Sequence, residues 1–162
     1  MTKRTSYTTV IGADVQVAQN KFTASTSLTV TPEAGGLEIL GVQLKQAYAG
    51  GATGAALSAP GTLYFFDSDP AIAAGTANNG LTEAQINAII GQLVIQDTDW
   101  THLANNISMF ANFGGLWVGQ DSNSIRTFPI YTVYVAFLYT GATQWNSAAG
   151  DEEVLSLRLI YK

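Results

Sequence analysis

The sequence predicts an all-β fold: a β-sandwich of jelly-roll type, with one short helix and an extended N-terminal arm. Three observations point there. Thr-rich and β-branched runs alternate with period two along most of the chain. Gly pairs and Pro punctuate those runs at short intervals. Only one stretch carries helix-capping residues at the right spacing. An eight-stranded barrel is the competing architecture. At 162 residues the chain reads as one folded unit, with residues 1–19 an arm or edge strand and residues 20–162 the sandwich body.

Taken in order, the first twenty residues alternate loosely. Tyr7, Thr9 and Ile11 share one parity, and Val15 and Val17 follow a Gly12-Ala13-Asp14 break. This is either a strand or an arm lying on a neighbour. Residues 22–31 read as one strand with Leu28 and Val30 on one face, ended by Pro32 and Gly35-Gly36. Residues 37–44 read as the next. Residues 47–61 form an almost uncharged Gly/Ala-rich loop, and residues 62–67 a buried strand stopped at Ser68-Asp69-Pro70.

The helix follows. Thr82 is a good N-cap, Gln85 completes a capping box, and Leu81 and Ile86 stand where a hydrophobic staple falls. Ile86, Ile89 and Ile90 make a stripe and Gly91 a stop, giving roughly nine residues. Residues 93–96 and 107–111 are weaker strands, with turns at Asn105-Asn106 and Gly114-Gly115. Residues 126–140 are apolar on both parities, so that strand is covered on both faces, by its own core and by a helix or a neighbouring subunit. Pro129 restricts its start. Residues 154–161 close the chain with Leu155, Leu157, Leu159 and Tyr161 on one face. The total is roughly seven to nine short strands, the inventory of a sandwich.

Charged residues are 12% of the chain, about half the usual ~25%. A surface of small neutral polar groups suits a protein partly covered by other subunits, and also suits an extracellular β domain. A net charge of −5 argues against nucleic acid, since phosphate contacts need clustered Lys and Arg. There is no Cys, hence no disulfide framework or thiolate chemistry. No run reaches the ~18 apolar residues of a membrane span, and no apolar leader follows Lys3-Arg4.

The residues offer no catalytic set. His102 is the sole histidine, too little for a typical zinc site, and no Gly-x-Ser-x-Gly elbow accompanies it. Asp67-Ser68-Asp69-Pro70 and Asp97-Thr98-Asp99 have the alternate spacing of oxygen-ligated calcium loops, but the full pattern is absent and an Asx turn is the favoured reading. Asp151-Glu152-Glu153 reads as a solvated turn, and calcium near Asp67/Asp69 or Asp151 stays open. Gly50-Gly51-Ala52-Thr53-Gly54 lacks a P-loop ending. No catalytic, cofactor or metal residues are therefore assigned. Of the three tryptophans, Trp117 and Trp145 are the ones expected to be exposed, where they could stack on a sugar.

Residues 63–72 (LYFFDSDPAI), 81–91 and 142–153 (ATQWNSAAGDEE) resemble small structural proteins encoded beside the major capsid genes of tailed bacteriophages. The resemblance spans the C-terminal two-thirds. It implies a head decoration, or cement, protein: a β-sandwich, often trimeric, bound where capsid subunits meet on the outer surface of the virion and made in the host cytoplasm. No family motif marks binding residues here. On this reading the partner is the major capsid protein, with no nucleic acid, membrane or cofactor involved. Contact is expected through the N-terminal arm (Lys3, Arg4, Tyr7, Thr9, Ile11) and the uncharged loop region (Tyr48, Leu57). Deletion of residues 1–19 is expected to abolish binding and leave the body folded. The alternative is a carbohydrate- or receptor-binding β module of a phage tail or fibre.

Overall fold

The computed structural model describes residues 3–11, 17–31, 38–48, 59–104, 107–112, 116–117, 131–142 and 153–162. The strands are β1 (Arg4–Ile11), β2 (Lys21–Phe22), β3 (Thr26–Val30), β4 (Glu38–Tyr48), β5 (Gly61–Phe66), β6 (Ile89–Ile95), β7 (Thr101–Ala104), β8 (Ile107–Asn112), β9 (Leu116–Trp117), β10 (Tyr131–Tyr139) and β11 (Glu153–Tyr161). One helix, α1 (Glu83–Asn87), lies between β5 and β6. Two antiparallel sheets pack together, so the fold is the all-β sandwich that the alternation predicts.

One sheet runs β1-β11-β4-β8-β7, with β9 also on β4. The other runs β2-β10-β5-β6, with β3 also on β10. The pairs are nested along the chain: β1 with β11, β3 with β10, β4 with β8, and β5 with β6. A ribbon of nested antiparallel pairs folded across two sheets is the jelly roll.

The inward parities form the main core. Leu155, Leu157, Leu159 and Tyr161 of β11 face Leu63 and Phe65 of β5 and Val133, Val135, Phe137 and Tyr139 of β10 in one buried cluster. Residues 22–31 are not one continuous strand: β2 and β3 both pair with β10, and the chain bulges between them. At the bulge the buried Thr23 takes over pairing with Phe137, its N–H donating to the Phe137 carbonyl (2.9 Å) and its Oγ1 accepting from the Phe137 N–H (3.0 Å). Strand β4 runs on through Ala47 and Tyr48, which the sequence reading placed in the loop. Their β-ladder with Val154 and Glu153 draws them in.

The other parity of β10 explains its double apolar pattern. Ala136 and Leu138 are buried with Phe22, Phe66, Ile72 and Ala88 in a second, smaller cluster, against which Tyr134, Leu81 and Ile89 pack. The segment between β5 and β6 thus folds over the outer face of its own sheet. It also guards an edge: Thr76 accepts from the Phe22 N–H (2.8 Å), and the Gly75 N–H donates back to the Phe22 carbonyl (2.9 Å). Paired this way, β2 offers less open edge to other chains.

The capping box forms as the sequence predicts. Gln85 N–H donates to Thr82 Oγ1 (3.3 Å) and Thr82 N–H to Gln85 Oε1 (2.8 Å), while Gln85 Nε2 donates to the Pro70 carbonyl (2.7 Å). The helix itself is shorter than expected. It spans five residues, Ile86 is 53% exposed, and Ile89, Ile90 and Gly91 already belong to β6. Two consecutive β-branched residues favour the extended ladder with Phe66 and Phe65 over another helical turn. Thr82→Ala is expected to lower stability by about 1 kcal/mol, the usual worth of an N-cap, as read by urea unfolding.

Candidate docking face

Of the two readings for the N-terminal residues, β1 is an edge strand, paired with β11 from Arg4 to Ile11. Its two parities do different things. Arg4, Ser6 and Thr8 turn toward β3 and close the side of the sandwich. Ser6 Oγ donates to the Thr29 carbonyl (2.9 Å), Thr8 Oγ1 meets Thr26 Oγ1 (3.1 Å), and the Arg4 guanidinium donates to the Thr31 carbonyl. Arg4, expected at a partner contact, is thus engaged within the sandwich. Tyr7 and Thr9 point the other way, onto the outer face of the six-stranded sheet, and Tyr7 is 65% exposed.

That outer face is built in rows by the strand register. Tyr7, Arg158, Gln43 and Ala111 form one row across β1, β11, β4 and β8. Thr9, Ser156, Lys45 and Met109 form the next, and Thr101 of β7 extends it. Inward Leu157, Leu44 and Val42 fix these strands, so with a period of two the intervening residues must face out.

The first row is linked side chain to side chain. The Arg158 guanidinium lies over the Tyr7 ring, Cζ 5.5 Å from its centroid, a cation–π contact worth about 0.5–1 kcal/mol at an exposed site. Arg158 Nη1 donates to Gln43 Oε1 (3.2 Å), and Gln43 Nε2 reaches Met109 Sδ at 3.9 Å. Arg158 Nε is shielded from solvent and has no hydrogen-bond partner. Between the rows lies an open groove of about 470 Å³, lined by Tyr7, Thr9, Gln43, Lys45, Ser156 and Arg158 among others. The lining includes two cations and no carboxylate among the described residues.

The other expected positions do not gather here. Lys3 is exposed just before β1. Ile11 and Tyr48 are placed by their backbone pairing with Leu155 and Glu153, and Trp117 by its pairing with Glu38, while their side chains lie outside the described residues. Leu57 and Trp145 also lie outside them, as does Asp151. The third tryptophan, Trp100, is buried against Phe110 and donates from Nε1 to the Ala59 carbonyl (3.2 Å). Gln43, Lys45, Ser156 and Arg158 were not anticipated. Their alternation was visible, but not which strands would be neighbours.

The acidic pairs make local turns. Asp69 Oδ1 accepts from the Ala71 N–H (2.8 Å), the Asx turn expected before the strand break, and Asp67 Oδ1 accepts from Ser68 Oγ (2.9 Å). Asp99 Oδ2 accepts from the Gln96 N–H (2.8 Å) at a single 3₁₀ turn. His102 is exposed on β7. Among the described residues no three His, Asp or Glu side chains come together as a metal site, and no helix is long and apolar enough to cross a membrane. Compared with known proteins, the chain matches no family model and no curated protein.

Proposed function

We propose that the chain is a non-enzymatic structural protein of a virus particle, a decoration protein that binds the major capsid protein lattice of a tailed-phage head from outside. It docks through the outer face of its six-stranded sheet and acts as a homotrimer. The observation that carries docking is the difference between the two outer faces. One is covered by the chain's own segment between β5 and β6. The other leaves Thr5, Tyr7, Thr9, Lys45 and Ala111 exposed across a broad sheet surface with a shallow cationic groove. A sheet face suits another macromolecule's surface better than it suits chemistry, which needs groups converging in a sheltered cleft. The capsid as partner is supported by the resemblance of residues 63–72, 81–91 and 142–153 and by the low charged content of the chain.

The test uses heads of the encoding phage assembled without this protein. Saturable co-sedimentation of the purified chain, weakened by Tyr7→Ala, is the expected result. Recovery of the chain in the supernatant at every concentration refutes the reading. Deleting residues 1–19 is a poor probe, because it removes β1, opens the edge of β11 and takes Val10 and Val17 from the core.

One observation favours a saccharide-binding module instead: the exposed Tyr7 ring stands beside Gln43, Ser156 and Arg158, a stacking surface flanked by hydrogen-bonding groups. Binding of a neutral glycan that Tyr7→Ala abolishes selects that reading.

A further inference from the structure

We infer that the groove receives an extended acidic segment of a partner protein, one whose carboxylates on alternate residues meet Arg158 and Lys45 together. This rests on the docking reading above and gives the partner its chemistry. The chain has 7 cationic and 12 acidic residues, yet among the described residues two cations line this groove and no carboxylate does. Because Arg158 pairs with Gln43, and Ser156 with Lys45, the two cationic residues stand on adjacent strands at diagonal positions whose backbones are about 7–8 Å apart. Like charges so placed repel, and no described residue lining the groove offsets them. Anionic groups from outside the chain do.

The spacing selects an extended peptide over a compact anion. Successive rows on one sheet face are two residues apart, about 6.8 Å. A segment lying along β4 and β11 presents its own alternate side chains at the same repeat, so acidic residues at i and i+2 fall on the Arg158 and Lys45 rows together. Two carboxylates at that repeat give each row its own counter-charge, whereas a single phosphate brings one charge centre to two rows. Arg158 is also only partly used: Nη1 serves Gln43, while Nε has no acceptor. A carboxylate that turns the exposed Tyr7 ring aside completes the two-pronged pairing that arginine favours.

The experiment is a fluorescence-anisotropy titration of the full chain against a labelled peptide of alternating Asp and Thr. Saturable binding that weakens with salt is expected, with affinity reduced about ten-fold by Lys45→Gln and by Arg158→Gln. Lys45 is exposed, so its variant keeps the test valid if Arg158→Gln folds poorly. A peptide with the same Asp content in adjacent pairs is expected to bind more weakly. The inference is overturned by absence of saturable binding, by equal binding to the Lys45→Gln protein, or by equal competition from inorganic phosphate or oligogalacturonate. Concentration-dependent self-association of the chain that Lys45→Gln abolishes also overturns it, in favour of a second copy as occupant. Head binding without peptide binding defeats this inference alone, and peptide binding without head binding defeats the capsid reading alone.

Discussion

Replacing Phe137 by alanine is expected to destabilise the fold by about 3–5 kcal/mol, the range for deleting a buried aromatic ring. Phe137 is fully buried in β10, between the flanking ladders with β5 and with β2–β3, and its ring fills the main core between the sheets. In a chain of this size each kcal/mol moves the melting temperature by about 2–4 °C, so the midpoint should drop by roughly 6–20 °C. A loss below about 1 kcal/mol in urea unfolding contradicts the assigned packing.

The second large effect comes from a glycine of β5 that the Phe137 ring packs over. Gly61 pairs with Tyr139, and a Cβ there would lie 2.4 Å from the Leu138 carbonyl oxygen and 2.4 Å from Phe137 Cζ. The ring can shift, but the carbonyl belongs to the ladder and cannot move without parting β5 from β10. Gly61→Ala is therefore expected to destabilise by about 1–3 kcal/mol, the usual range of overpacking and large for a single methyl. The two sites share one space, so their effects are coupled. In the Gly61→Ala/Phe137→Ala double variant, part of the glycine penalty should vanish with the ring and the share due to Leu138 should remain. A double-mutant cycle measures that coupling, and strict additivity contradicts the shared contact.

Much of the fold was legible because period-two burial is a local property. Leu155, Leu157, Leu159 and Tyr161 announce an inward face regardless of what they face. The double apolar pattern of residues 131–139 likewise announces two covered surfaces. The capping box is local as well, and Thr82 and Gln85 pair as their spacing demands. Where the reading missed, a distant partner decided the outcome. Ile89 and Ile90 leave the helix because β5 offers them a ladder. Residues 22–31 split because β10 accommodates a bulge at Thr23. The candidate site was the least legible part. Tyr7 and Thr9 were singled out, but Gln43, Lys45, Ser156 and Arg158 join them only through pairings between strands more than a hundred residues apart in sequence, such as Gln43 with Arg158. No periodicity within one strand reveals its neighbour. The same long-range pairing makes slow folding the expectation for this topology.

On the proposed reading, the protein docks with the outer face of its six-stranded sheet. Lysine footprinting tests it most directly: acetylation of the free chain and of the head-bound chain, read residue by residue by mass spectrometry. Lys45 lies in the groove, whereas Lys21 lies on β2 in the other sheet. Docking through this face is expected to protect Lys45 and to leave Lys21 as reactive as in the free protein. Equal labelling of Lys45 in both states, or protection of Lys21 instead, contradicts it.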